Sequence, residues 1–281
     1  MRRPRKATVI AMGFIAILVV YGAVIVVGMH VRDLSGLSKL PAFPGELAAV
    51  QKPAWKPPLT ASIPDGPLGE SVRLGMRIFN ETPLYAAHNA GAKLSCANCH
   101  AEGGIVPYSS PMVDVAATFP QFNVRAGHVI SLKDRIQECF VRSENGRPLD
   151  YQGVPMTALV DYIAWLSTPE PDHKPFTGRG LIALPELTPD AARGGEIYAG
   201  QCAGCHGQNG EGRRPMFPPL WGPDSFNDGA GMYGMKKMAA FVQHNMPQNR
   251  MGILTPQEAW DVAAYVHQQP RPAFNPAYKK Y

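Results

Sequence analysis

Two copies of one short pattern constrain this chain more than any other feature. Cys96-Ala-Asn-Cys99-His100 sits in "KLSCANCHAEGG", and Cys202-Ala-Gly-Cys205-His206 in "GQCAGCHGQNG". C-x-x-C-H is the attachment pattern of a c-type haem. The two thiols form thioethers to one edge of the porphyrin, and the adjacent imidazole lies under the iron. A structural zinc shared by the two motifs would need its four ligands close together. A disulfide within each motif would give no reason for a histidine after both. The motifs stand 106 residues apart, each in its own flanking pattern. The sequence therefore predicts two covalently bound haem c groups, attached through Cys96 and Cys99 and through Cys202 and Cys205, with His100 and His206 as proximal iron ligands.

The flanking patterns predict a mainly α fold of two tandem cytochrome c-like domains, each wrapped on its haem. Each half reads as a short helical stretch, the motif, a long loop and a closing helix. In the first half the helices fall near Gly69–Phe79 and Met156–Leu166, with Leu68, Val72, Met76 and Phe79 at helical spacing. In the second, "TPDAARGGEIYAG" suggests Thr188 as cap and Pro189 as first helical residue, and "TPQEAW" carries a capping box of Thr255 and Glu258 around Pro256. The expected boundaries are 65–168 for the first domain, 169–184 for a linker and 185–281 for the second.

Residues 7–29 carry no charge and follow Arg2, Arg3, Arg5 and Lys6. At 1.5 Å per residue a helix of that length spans roughly 34 Å, enough to cross a bilayer. The segment is longer than the apolar region of a cleaved signal and lacks a convincing cleavage site. The expectation is an uncleaved anchor over 1–30 and a proline-rich tether over 31–64. Positive residues stay on the cytoplasmic side, which places the protein at the inner membrane with its haem domains in the periplasm. The same four residues account for most of the net charge of +5. A nucleic-acid partner therefore has no support.

Each haem iron has a second axial position. Met246, in "FVQHNMPQNRMG", lies 40 residues past His206 and leads over Met251 and His244; a thioether raises the potential and suits electron transfer. Cys139, the fifth cysteine, lies 39 residues past His100 and leads over Met156. It sits in "SLKDRIQECFVRSENG", a helix with Ser131 as cap and Asp134 three residues on, ended by Asn145-Gly146. Arg135, Cys139 and Arg142 share one face, and Ser143 is four residues beyond Cys139. Arg125 lies upstream. An arginine face can be a solvated surface or partner patch. Around a thiolate it can instead bind oxyanions by paired, charge-assisted hydrogen bonds and favour the thiolate itself.

From about Ile63 to His267 the chain resembles the thiosulfate dehydrogenase family of di-haem c-type cytochromes. The resemblance rests on both C-x-x-C-H motifs, "RAGHVISLKDRIQECFVRSENG", "YIAWLS", "NMP" and "EAWDVAAYV". It implies an enzyme that joins two thiosulfates into tetrathionate, in some members reversibly. It also implies a His100/Cys139 ligand pair on the active-site haem, with substrate residues at Arg125, Arg135 and Ser143. Arg142 is added from its place on the helix face. A second haem, with His206 and Met246, would pass electrons to an acceptor such as another cytochrome c or an oxidase. Glu144 stands where a methionine is common in the family. The alternative is a membrane-tethered electron carrier, which would need neither Cys139 nor the arginines. From the N-terminal pattern, the full chain is expected to sediment with membranes and to retain Met1–Met29. A mature amino terminus sequenced beyond Gly28 would overturn that reading.

Overall fold

A computed structural model describes residues 57–58, 60–168 and 176–281. The expected anchor, most of the tether and residues 169–175 of the expected linker lie outside the described residues. Among the described residues, no helix is long and apolar enough to cross a membrane.

The first half opens on α1, Pro67–Asn80, which starts on Pro67 rather than near Gly69. Proline is suited to the first turn, where its missing N–H would have no intrahelical partner. Val72, Gly75, Ile78 and Phe79 form the buried stripe of α1. After the first motif comes a short antiparallel hairpin, β1 (Gln121–Asn123) against β2 (His128–Ile130), in the register Phe122↔Val129. The helical pattern gave no sign of it. The helix carrying Cys139 is α2, Leu132–Arg142. The Ser131 N–H donates to Asp134 Oδ2 at 2.8 Å, and the Asp134 N–H donates to Ser131 Oγ at 3.2 Å. The closing helix α3, Val154–Leu166, buries Met156, Leu159, Tyr162, Ile163 and Leu166.

The second half repeats the plan with α4 (Ala191–Gln201), α5 (Met235–Asn245) and α6 (Pro256–His267). The start of α4 corrects the expected cap. Asp190, not Thr188, accepts from the Ala192 and Arg193 N–H groups at 2.9 and 3.1 Å. Its own N–H donates to Asp261 Oδ1 of α6 at 2.8 Å, so the turn is fixed one residue before Ala191. Helix α6 keeps the predicted box: the Thr255 N–H donates to Glu258 Oε2 at 2.8 Å.

Each half is organised by one helix crossing that only glycine permits. A Cβ on Gly75 of α1 would lie 1.9 Å from the Ala158 carbonyl oxygen of α3. A Cβ on Gly194 of α4 would lie 2.0 Å from the Asp261 carbonyl oxygen of α6. Two cores result. One is built on Val72, Ile78, Phe140, Leu159 and Ile163, the other on Tyr198, Trp221, Met238, Trp260 and Val262. Ala92 and Leu94, which precede the first motif, pack in the second core. Asn227 of the second half is 1 % exposed. Its Nδ2 donates to the Val141 carbonyl at 2.9 Å and to Asn145 Oδ1 at 3.0 Å, which fixes the end of α2. Gly194→Ala should cost about 1–3 kcal/mol, since backbone cannot move aside without opening the crossing. A lowered Tm with unchanged haem content would show this, and an unchanged Tm would rule it out.

Candidate haem sites and the Cys139 cavity

Both motifs place their histidines in the same way. His100 Nδ1 lies 2.5 Å from the Ser110 carbonyl oxygen, and His206 Nδ1 lies 2.9 Å from that of Pro218. A carbonyl only accepts, so each Nδ1 carries the proton and each Nε2 is left with a lone pair. A metal-binding imidazole needs this tautomer, held by a hydrogen bond on its other nitrogen. Burial pushes His100 down to about 4 and lowers His206 as well, which keeps both rings neutral. None of the five cysteines is in a disulfide. Among the described residues, no three His, Cys, Asp or Glu converge on a metal position, so the shared zinc reading falls away. Burial pushes two of the motif thiols up, Cys99 to about 12 and Cys202 to about 11.

The first site opens into a cavity of about 310 Å³ whose walls include Cys96, Cys99, His100, Cys139, Arg135 and Ser143. Phe79, Leu132, Ile136, Phe140, Leu159 and Ile163 make its lining largely apolar. The chemistry of these walls fits a covalent haem: two thiols and an imidazole with a free Nε2 on one segment, and a sulfur on α2. Met156, the rival to Cys139, is fully buried in the first core and does not line the cavity. In the second half Met246 is the half-buried residue that ends α5. Met251 is 59 % exposed, and His244 packs edge-on against Tyr108 at 5.4 Å.

Arg135 reaches the cysteine directly: its Nη1 donates to Cys139 Sγ at 3.2 Å. The same nitrogen is 3.3 Å from Glu138 Oε2, and Asn123 Nδ2 donates to that carboxylate at 3.1 Å. The Cys139 sulfur beside it raises the guanidinium above its ordinary value. Arg125 and Arg142, grouped with these residues on sequence grounds, stand elsewhere. They line a separate open cleft, and Arg142 Nη2 donates to the main-chain oxygen of Tyr281 at 2.8 Å. Sequence reasoning missed Arg179, Gln121 and Met232, which reach the cavity from distant segments. It also missed the carbonyls of Ser110 and Pro218, which carry no side-chain signal at all.

The SoxA/TsdA cytochrome c domain family matches residues 82–171, and the cytochrome c family matches residues 191–270. Thiosulfate dehydrogenase of Allochromatium vinosum is 40% identical over 227 residues, which are 77% of this chain and 84% of that protein. Thiosulfate dehydrogenase of Thiomonas intermedia is 40% identical over 224 residues, covering 78% and 71%. A solved structure described as thiosulfate dehydrogenase (TsdBA) from Marichromatium purpuratum, in its as-isolated form, superposes with a TM-score of 0.72 at 40% identity. The match takes in 78% of this chain but 50% of the solved one. Two cytochrome c domains with two covalent haem c groups define a di-haem c-type cytochrome. Within that class, the chain belongs to the thiosulfate dehydrogenase family of oxidoreductases.

Glu144 is 2 % exposed in the cavity wall. Its Oε1 lies 3.9 Å from Cys96 Sγ, and its Oε2 has no partner. Burial raises this carboxyl to about 8, so it is neutral at pH 7 and gains a negative charge above pH 8. A negative charge favours the ferric state. The midpoint potential of the first haem should therefore fall as pH rises through about 8, and Glu144→Gln should flatten that dependence. Potentiometry that finds the same slope in both proteins would contradict the assignment.

Proposed function

We propose that the chain oxidises thiosulfate to tetrathionate in the Cys139 cavity and passes the electrons to an acceptor such as a cytochrome c or an oxidase. The observation that carries this reading is the Arg135–Cys139 contact of 3.2 Å inside the first haem cavity. A carrier domain has no use for a thiol ligand framed by a guanidinium. His100 and Cys139 would hold the first iron, and His206 and Met246 the second; haem c supplies one-electron redox chemistry there.

The overall reaction is 2 S2O3(2−) → S4O6(2−) + 2 e−, and no proton changes hands. Arg135 and Ser143 bind and orient the dianion: the guanidinium offers paired N–H donors and the hydroxyl a single one. Arg135 Nη1 also donates to the Cys139 sulfur, which reacts as its thiolate. That thiolate bonds to the sulfane sulfur of one thiosulfate and two electrons leave, giving Cys–S–S–SO3(−). The sulfane sulfur of the second thiosulfate then attacks the sulfane sulfur of this adduct. The Cys139–sulfur bond breaks, tetrathionate departs and the thiolate is restored. Electrons leave singly, which accounts for two haem groups in one chain. The apolar N-terminal stretch is read as the membrane anchor that keeps both domains on the periplasmic side.

Cys139→Met should leave a folded di-haem protein with a raised first-haem potential and almost no thiosulfate turnover, because a thioether cannot carry the adduct. Arg135→Ala should lose hydrogen bonds to a charged group, about 1.5–3 kcal/mol, or roughly 10- to 150-fold in kcat/KM. A thiosulfate–ferricyanide assay reads both. Full activity in Cys139→Met would reject the role of the cysteine. A wild-type protein that exchanges electrons but does not turn over thiosulfate would be a carrier.

A further inference from the structure

Residues 176–180 fall in the stretch expected to be linker, yet they form a strap docked on the first half. Phe176 is buried against Val113. The Tyr108 N–H donates to the Gly178 carbonyl at 2.7 Å, and the Ser110 N–H to that of Gly180 at 3.0 Å. Tyr108 and Ser110 both have left-handed backbone, with φ of 59° and 48°, which residues with a Cβ adopt rarely. The two bonds to the strap hold them there. The Ser110 carbonyl is the group that accepts from His100 Nδ1, so the strap stands behind the histidine of the first haem site.

Arg179 lies between those two bonds, and both its neighbours have to be glycine. A Cβ on Gly178 would lie 2.4 Å from Pro107 Cβ, and Gly180 has a φ of +73°. The side chain so placed lines the Cys139 cavity, although Arg179 is exposed, which puts it at the cavity mouth. Arg135, the other arginine in the wall, is committed to Cys139 and Glu138. The carboxylate in the wall is Glu144, which burial keeps neutral at pH 7. Among the described residues, the Arg179 guanidinium has no hydrogen-bond or ion-pair partner. A haem c carries two propionate carboxylates on the edge of the ring away from its thioether links. In a cavity with largely apolar walls, an ionised carboxylate needs a cation or water. Arg135 and Ser143 reach the cavity from α2 with Cys139, whereas Arg179 reaches it from the strap that backs His100. It is therefore placed for the cofactor and not for the substrate.

We propose that Arg179 is the propionate partner of the first haem: its guanidinium makes paired, charge-assisted hydrogen bonds to one propionate carboxylate, and the 176–180 strap fixes it at that edge of the cavity. A cation there favours the ferrous over the ferric iron. Arg179 thus raises the potential of the haem that has to take electrons from the substrate. The contact requires only the haem c; its effect on turnover rests on the thiosulfate reading.

Arg179→Gln in the full di-haem protein tests this. Resonance Raman spectra should show a propionate-bending band shifted from its wild-type position. Potentiometry should show a lowered first-haem potential and an unchanged second one. Arg179→Lys keeps the charge and should restore most of the potential. In the thiosulfate–ferricyanide assay kcat should fall while KM holds, because the variant loses driving force and no substrate contact. An unmoved propionate band in Arg179→Gln would overturn the assignment. So would a raised KM with an unmoved first-haem potential, which would make Arg179 a substrate residue. A protein that shows the band shift but does not turn over thiosulfate would keep the propionate contact and lose only the proposed reaction.

Discussion

The arrangement depends first on two imidazoles whose Nδ1 protons are committed to backbone carbonyls, those of Ser110 and Pro218. Each bond is made by a loop that returns to the motif after ten or twelve residues. It fixes the tautomer, the ring plane and the direction of Nε2 together. A covalent haem needs that direction settled, because its two thioether sites leave the macrocycle little freedom to search for the iron ligand. Around this fixed point, each half then closes a helix pair over a glycine, Gly75 against Ala158 and Gly194 against Asp261. The cores pack at the distance those glycines allow.

The two halves differ in what faces the proximal histidine. In the first, α2 brings Cys139, Arg135 and Ser143 to the cavity wall, with Glu144 just beyond its end. Helix α2 is held at both ends by side-chain hydrogen bonds. Ser131 and Asp134 cap its start, and Asn227, from the other half, grips Val141 and Asn145 at its finish. A guanidinium 3.2 Å from the sulfur is therefore a positioned contact and not a surface arginine that happens to lie nearby. The second half places a half-buried methionine where α5 ends, in keeping with an electron-transfer role for that site.

Charge is distributed to match. Glu138 is spent on Arg135 and Asn123, Asp261 on Arg193 at 2.6 Å, and Asp224 on Lys93 at 2.6 Å. Each of these three carboxylates has a named cation as partner, whereas Glu144, beyond the end of α2, keeps Oε2 unpartnered. Arg125 and Arg142 line a cleft apart from the Cys139 cavity, where the one carboxylate among the described lining residues is Asp228.

What the sequence determined by itself was chemistry carried by local spacing. C-x-x-C-H fixed the cofactor and its number, Thr255 with Glu258 and Ser131 with Asp134 fixed two helix starts, and the offset of Cys139 from His100 singled out the fifth cysteine. These signals are legible because all the atoms involved lie within a few residues or on one helix face. The sequence could not say that Asp190 would displace Thr188 as a cap, because that choice was made by Asp261, 71 residues away. Nor could it tell which arginines accompany Cys139. Arg135, Cys139 and Arg142 share a helical face on paper, but Asn227, Phe274 and Tyr281 draw the end of α2 toward the other half. Arg135 thereby stays at the sulfur and Arg142 goes to a different cleft. Periodicity states which residues can lie together on a helix; only the packing of distant segments against that helix decides which of them meet the same space.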